Sequence, residues 1–410
     1  MGNLSVEELA LQRKRYPHLS DEEFRFMLQQ VEGRLRTREK LPTFATIHDW
    51  WYPVRLSCEQ CSSEITAKYK AQLIKGLHFD TLIDLTAGYG VDTYFMSQST
   101  IHAHYIERNY DLCQIAEHNF RLTPTNIQVH NTTTEEFLAS ETNIEYPALF
   151  FIDPARRGKG GNKVFLLEDC EPNILSLIPT LLAKAQAVLI KLSPMLDITA
   201  ALRALTDALH TRDIHCEVHV VAVQNEVKEV LIFFYNVRYH SVTTPKGYRG
   251  DTEPLIHAVN LIPTDNHTHY HEEVFTFTTA EEKQEQSNLY SPNNVDVTQE
   301  NTYIYEPNAA IIKAGAFKLI AQRFQLLKMA QHTHLYLSHQ RINNFPGRVW
   351  QIITTNMKDI KDLQANIMTR NYPLTPEQLR KKLKLKDSDT YTIIGARLAD
   401  KPTLFLCKKI

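Results

Sequence analysis

No apolar run in this sequence reaches the roughly 18 to 20 residues that a membrane-spanning helix requires, so no membrane span is expected. The first residues, MGNLSVEELALQRKRYP, lack the apolar core of an export signal. Val6 stands where a myristoylation pattern needs Ser or Thr. Cysteine is sparse: Cys58, Cys61, Cys113, Cys170, Cys216 and Cys407 are scattered over 410 residues, which excludes a disulfide scaffold and predicts reduced thiols in a cytoplasmic protein. Cys58-x-x-Cys61 has no second pair at metal spacing, and a closed zinc site needs four ligands, so both are read as ordinary thiols and no metal is expected. His267, His269 and His271 alternate and would share one face of a strand, which reads as an exposed polar edge. No internal repeat and no coiled-coil heptad is present.

What remains is an ordinary globular composition, 43% hydrophobic and 22% charged, in a chain too long for one typical core. The net charge of −2 hides an asymmetry. Residues 303–410 hold 18 Lys and Arg against 7 Asp and Glu. A basic block on an otherwise acidic chain points to a polyanionic partner, nucleic acid first, with a solvated helix face as the alternative.

Four segments follow from pattern. Residues 1–65 read as helical, with capping-box signatures at Ser5/Glu8 and Ser20/Glu23. Residues 66–238 alternate short apolar runs (TLIDL, HAHYIE, NIQVH, ALFFID, AVLIKL) with helical patterns, which specifies a parallel sheet covered by helices. This block closes on two strands joined at Gln224-Asn225-Glu226, an antiparallel ending. Residues 239–302 read as an acidic polar connection with some strand. Residues 303–410 read as a basic α+β domain in which NAAIIKAGAFKLIAQRFQLL has one helical period, HLYLS, RVWQIITT, TYTIIGAR and PTLFLCKK are strands, and Thr375-Pro376 starts a helix.

The chemistry concentrates in Asp84-Leu85-Thr86-Ala87-Gly88-Tyr89-Gly90. Glycines between a strand and a helix admit a ligand close to the main chain. Thr93 occupies the third glycine position of a dinucleotide fingerprint, so a pyrophosphate is poorly served. Glu107 ends the next strand, where an acid accepts both hydrogen bonds of a ribose diol. Asp153-Pro154 ends the fourth strand and projects a rigid polar loop into the same crevice. Lys191 and Ser193, at the end of the fifth strand, are read as a structural strand end.

Asp84-x-Thr86-Ala87-Gly88-x-Gly90-x-Asp92, Glu107, Asp153-Pro154 and the closing hairpin together resemble the class I S-adenosylmethionine-dependent methyltransferases. The leader EQCSSEITAKYKAQL, DPARRG and YEPNAAIIKAG resemble a narrower bacterial group with a THUMP-like C-terminal domain. The resemblance implies a Rossmann-like seven-stranded sheet with an antiparallel last strand, an N-terminal helical region and a small C-terminal α+β domain. It implies S-adenosylmethionine as cofactor, held by Asp84, Thr86, Ala87, Gly88, Gly90, Asp92, Glu107, Arg108, Asn131 and Asp153. Asp84 would meet the amino group, Gly88 and Gly90 the methionine part, Glu107 the ribose, and Arg108 and Asn131 the adenine. Asp153 would orient or deprotonate the acceptor.

Asp153 to Arg156 occupies the place of the Asn/Asp-Pro-Pro-aromatic motif of amino-methylating enzymes, but Ala155 and Arg156 replace its last two residues. Arg156 is therefore read as a catalytic-site residue that grips phosphate or stacks on a base. The expected activity is methyl transfer to RNA through the basic 303–410 region. The alternatives are an RNA-binding module with an inactive methyltransferase fold, and a methyltransferase acting on protein or a small molecule.

Overall fold

In the computed structural model the described residues are 6–140, 144, 147–156, 167–209, 214–236, 253–264, 269–286, 288–291, 296–299, 301–360 and 363–410. The chain divides into two compact units. The first is Met1–Val223, Lys228–Thr252 and Leu261–His271; the second is Gln224–Val227, Glu253–Asn260 and Glu272–Ile410.

The first unit opens with helices α1 (Val6–Ala10), α2 (Asp21–Thr37), α3 (Pro42–Thr46), α4 (Arg55–Gln60) and α5 (Glu64–Lys75). Ser20 caps α2 by accepting from the Glu23 amide, and the Glu23 carboxylate accepts from the Ser20 amide, the reciprocal box expected from sequence. Ser5 of the other expected box lies outside the described residues.

The sheet follows: β1 (Thr81–Asp84), α6 (Val91–Ser97), β2 (His102–Glu107), α7 (Tyr110–Arg121), β3 (Ile127–Asn131), α8 (Thr134–Ser140) and β4 (Ala148–Ile152). A two-stranded ribbon of β5 (Ala155–Arg156) and β6 (Cys170–Glu171) precedes α9 (Ile174–Lys184), β7 (Ala187–Leu192), α10 (Ile198–Ala208), β8 (Ile214–Val223) and β9 (Glu226–Asn236). Over β1–β4 and β7–β9 the strand order is β3-β2-β1-β4-β7-β9-β8, within a sheet of nine strands. The first five run parallel, and β9 is antiparallel to β7. All five residues of β4 are buried, as a central strand covered on both faces requires. Gln224 and Asn225, both at positive φ, make the two-residue turn between β8 and β9.

The acidic stretch contains two nine-residue strands, β10 (Leu255–Pro263) and β11 (Tyr270–Thr278), and helix α11 (Thr279–Gln284). His267 lies outside the described residues. The second unit is built on a seven-stranded sheet of β12 (Tyr303–Pro307), β13 (Leu327–Ala330), β14 (Thr333–Ser338), β15 (Gly347–Thr354), β16 (Asn366–Arg370), β17 (Thr392–Leu398) and β18 (Lys401–Lys409). Its order is β13-β14-β12-β15-β18-β17-β16.

The helix expected over NAAIIKAGAFKLIAQRFQLL is two helices, α12 (Ala309–Ala314) and α13 (Leu319–Arg323). Gly315 at φ +88° ends the first, because the left-handed conformation stops helix propagation. Helix α14 (Met357–Ile360) follows β15, and α15 (Pro376–Leu383) begins with the Thr375 cap. Alternation sorts the last strands: Ile394, Ala396, Phe405 and Cys407 enter one core, while Ile393, Leu404 and Leu406 meet Leu379 and Leu383 of α15.

The N-terminal helices are fixed to the first sheet by aromatic residues. Trp50 stacks on Phe44 at 4.2 Å and donates its indole N–H to the Tyr89 hydroxyl at 2.8 Å. Trp51 stacks on His118 at 3.7 Å, and Asn119 accepts from its amide and donates to its carbonyl. Gly33, inside α2, passes so near Tyr52 that an added Cβ would lie 2.2 Å from the Tyr52 Cβ. Alanine gains about 1 kcal/mol of helix propensity over glycine, but this clash involves an immobile atom, so overpacking wins. Gly33→Ala is expected to lower unfolding free energy by about 1–3 kcal/mol in urea titrations; an unchanged midpoint would show that α2 moves freely over Tyr52.

Candidate active site

A cavity of about 340 Å³ opens over the carboxyl ends of β1, β2 and β4, where open α/β sheets bind ligands. Its lining joins the Asp84–Asp92 loop, Glu107 and Arg108, Asp153, Glu171 and Lys191, and it also includes Ser57, Gln60, Cys61 and Ser62 from the N-terminal helical segment.

Asp84 ends β1 with 1% exposure. Its carboxyl accepts from the Thr93 hydroxyl at 2.6 Å and the Thr86 amide at 3.2 Å. Burial pushes it up to about 8, against the pull of the Thr93 hydrogen bond. Gly88 and Gly90 sit at φ +56° and +81°, conformations that turn the loop between strand and helix. A Cβ on Gly90 would meet Phe120 at 2.9 Å and Tyr105 at 3.2 Å. The Tyr105 hydroxyl donates to the Gly88 carbonyl. Tyr89 is 6% exposed and its hydroxyl bonds Trp50 and Trp51.

Glu107 braces this loop from the end of β2. One carboxylate oxygen accepts from the Gly88 amide at 3.0 Å, the other from the Asn109 amide at 2.8 Å. Arg108 pairs with Glu171 at 2.8 Å. Asp153 is placed by its own backbone: its amide donates to the Thr86 hydroxyl at 2.6 Å.

The structure thus gathers Asp84, Thr86, Ala87, Gly88, Gly90, Asp92, Glu107, Arg108 and Asp153 around one cavity. Asn131 lies apart from the lining: its side-chain amide donates to the carbonyls of Glu107 at 3.0 Å and Arg108 at 3.1 Å, so it supports the end of β2. The Arg156 backbone pairs with Cys170 in the ribbon, and its side chain lies outside the described residues. Cys58 and Cys61 donate to the carbonyls of Pro53 and Cys58, and burial pushes the Cys58 thiol up to about 12.

Sequence reasoning missed a buried charge cluster behind the cavity. Lys70 of α5, 0% exposed, contacts both Glu229 carboxylate oxygens at 2.6 and 2.8 Å and Asp92 at 3.1 Å. Ser62 donates to Asp92 at 2.6 Å. Lys191, taken from sequence as a plain strand end, pairs with Asp153 at 2.5 Å and lies 3.7 Å from Asp92. Burial opposes ionisation of Asp92, but Lys70 and Lys191 overcome it and hold its carboxyl below the usual range. At Glu229 burial prevails over Lys70, and the carboxyl is raised. Burial disfavours the Lys191 cation, yet Asp153, Asp92 and Glu229 together raise it above the ordinary lysine range. A lysine inside an apolar strand pattern such as AVLIKL was the signal available.

The charged part of the lining is mainly acidic, with Asp84, Asp92, Glu107, Glu135, Asp153 and Glu171 against Arg108 and Lys191. Such an acceptor set suits a ligand carrying positive charge and hydroxyls better than a pyrophosphate.

The C-terminal part matches two domain families, a ferredoxin-like domain over residues 303–346 and a THUMP domain-like domain over residues 347–409. Among solved structures, a candidate methyltransferase from Porphyromonas gingivalis W83 is 30% identical, with a TM-score of 0.80, over 99% of this chain and 95% of that one. An rRNA methylase from Streptococcus thermophilus is 12% identical over 41% of this chain and 95% of that one, with a TM-score of 0.31. A candidate methyltransferase from Streptococcus mutans, solved with S-adenosylhomocysteine, is 12% identical over 41% of this chain and 96% of that one, with a TM-score of 0.32. No curated protein matches the chain.

Removing one partner from a buried ion cluster leaves an uncompensated charge, which typically costs about 3–5 kcal/mol. Lys70→Met is therefore expected to destabilise the protein by about that amount in urea titrations, with part of the loss recovered when Glu229→Leu is added. A loss below about 1 kcal/mol would remove Lys70 from the folding core.

Proposed function

The chain belongs to the class I S-adenosylmethionine-dependent methyltransferases with a THUMP-like C-terminal domain, and on that footing we propose that it transfers a methyl group from S-adenosylmethionine to RNA. The observation that carries this reading is the joining in one chain of a carboxylate-lined cavity over the Gly88–Gly90 loop with a basic, THUMP-like region at residues 347–409. THUMP-like domains suggest RNA, and the excess of Lys and Arg over residues 303–410 supplies the charge that phosphate contacts require.

The donor, when bound, supplies a methyl group already activated on a sulfonium centre. This chain's residues then need only to bind and align, and alignment supplies much of the rate. Asp84 receives the donor's amino group. The open loop at Gly88 and Gly90 admits its amino-acid part against the main chain. Glu107, already fixed by two loop amides, offers its remaining lone pairs to the ribose hydroxyls. Asp153 accepts a hydrogen bond from the acceptor and orients it toward the methyl group.

Two measurements test these assignments. Asp153→Asn is expected to slow tritiated-methyl transfer to total RNA from a deletion strain by on the order of 100-fold, leaving a measurable residual rate and S-adenosylmethionine affinity within about threefold; undiminished transfer would take Asp153 out of the reaction. The second concerns Asp84, whose carboxyl burial raises to about 8. An ammonium ligand favours the ionised carboxylate, so binding expels a proton below that pH. Affinity should climb between pH 6 and 8, by at most about tenfold per unit, and fall at higher pH as the ligand's α-amino group deprotonates near 8. Asp84→Asn should lack the rising limb in calorimetric titrations. A flat profile in the unaltered protein would separate Asp84 from the amino group.

A further inference from the structure

We infer that Lys191 is a positioning residue for methyl transfer, acting through Asp153 to aim one carboxylate oxygen at the acceptor. The inference rests on the reading of Asp153 as the group that meets the acceptor. Strand register makes Lys191 and Asp153 neighbours: β7 runs parallel to β4 with Ile190 beside Ile152, so the two chains leave the sheet side by side. The Lys191 ammonium lies 2.5 Å from Asp153 Oδ2. Among the described residues none donates to Oδ1, and Asp153 lines the cavity.

The depth of the two groups separates this role from a purely structural pair. The Lys191 side chain is 13% exposed and that of Asp153 38%, so the cation stands behind and the carboxylate in front. Structure alone gives little reason for a lysine there. A buried ion pair is commonly no better for stability than apolar residues of the same volume. Neighbouring Val188, Leu189 and Ile190 are such residues, all fully buried.

Lys191 is the lesser of the two cations at Asp92. That carboxylate already has Lys70 at 3.1 Å and the Ser62 hydroxyl at 2.6 Å, whereas Lys191 stands off at 3.7 Å. Lys70 in turn is anchored by Glu229. The close contact of the Lys191 ammonium is therefore with Asp153, at 2.5 Å against 3.7 Å to Asp92. The Asp153 backbone is held independently by the Thr86 hydroxyl and restricted by Pro154. The carboxylate is therefore fixed through its backbone amide and through Oδ2, which sets where its remaining oxygen can accept a hydrogen bond. Such fixation matters to an alignment-limited reaction, where a displacement of about 1 Å can cost on the order of 100-fold in rate.

The test has two arms. In protein labelled with ¹⁵N-lysine, the Lys191 ammonium should give a slowly exchanging signal, assigned by its loss in Lys191→Met, and Asp153→Asn should abolish or shift it. An unchanged Lys191 signal in Asp153→Asn would refute the pair, whether or not RNA is the acceptor. In the second arm, Lys191→Met should lower the rate of methyl transfer to total RNA at saturating donor by about 10- to 100-fold, with S-adenosylmethionine affinity within threefold of the unaltered protein. Added to the slower Asp153→Asn protein, it should cost no more than a further threefold, because the two residues act as one unit. A rate within threefold of normal for Lys191→Met, a parallel loss of donor affinity, or multiplying losses in the double variant would each overturn the inference. Failure of the unaltered protein to label RNA, with the Lys191 signal responding to Asp153→Asn, would count against RNA as acceptor and leave the pair standing.

Discussion

The first unit depends on two lysine ammonium groups taken out of water. Each would be costly alone, and each persists because carboxylates surround it: Glu229 and Asp92 around Lys70, Asp153 and Asp92 around Lys191. The cluster links parts that chain order keeps far apart. Lys70 lies on α5, Asp92 on α6, Lys191 on β7 and Glu229 on the reversed strand β9. The antiparallel insertion of β9 beside β7 thereby gains an electrostatic reason beyond backbone pairing. It delivers a carboxylate behind the strand ends where the cavity opens.

In front of that cluster, the loop after β1 is preset by hydrogen bonds before any ligand arrives. Glu107 holds the Gly88 amide, Tyr105 holds the Gly88 carbonyl, Thr86 holds Asp153, and Asn131 holds the strand end that carries Glu107. Ordering these groups in advance lowers the conformational cost of binding. The same arrangement explains why Asn131 stands outside the cavity lining. Its amide is committed to main-chain carbonyls, an indirect contribution to the place where the adenine was expected.

How much could be read from residues alone follows from the range of the physics involved. Strands such as ALFFI and the turn at Gln224-Asn225 announce themselves locally, through burial pattern and turn chemistry. That Asp84, Gly88, Gly90, Glu107 and Asp153 share one cavity was legible because they lie at, or just beyond, the strand ends of an alternating α/β pattern. Lys70 and Glu229 were not, since they meet across 159 positions and neither has a local signature. Lys191 was seen but set aside, because a lone lysine in an apolar strand is indistinguishable from a frayed end until its partner is known. The helix expected to run through residue 315 failed for a local reason, a single glycine in the left-handed conformation overriding a continuous apolar period.

The wall contributed by Ser57, Gln60, Cys61 and Ser62 changes what counts as the working part of this chain. A Rossmann-like sheet is usually thought of as a self-sufficient module to which other segments are appended. Here the appended helices close one side of the chamber and bring Ser62 to the buried carboxylate of Asp92. Residues ahead of the first strand are thus under the same geometric constraint as the glycine loop itself. Drift in their packing, at the Trp50–Tyr89 contact for instance, would be felt as a change in the shape of that cavity.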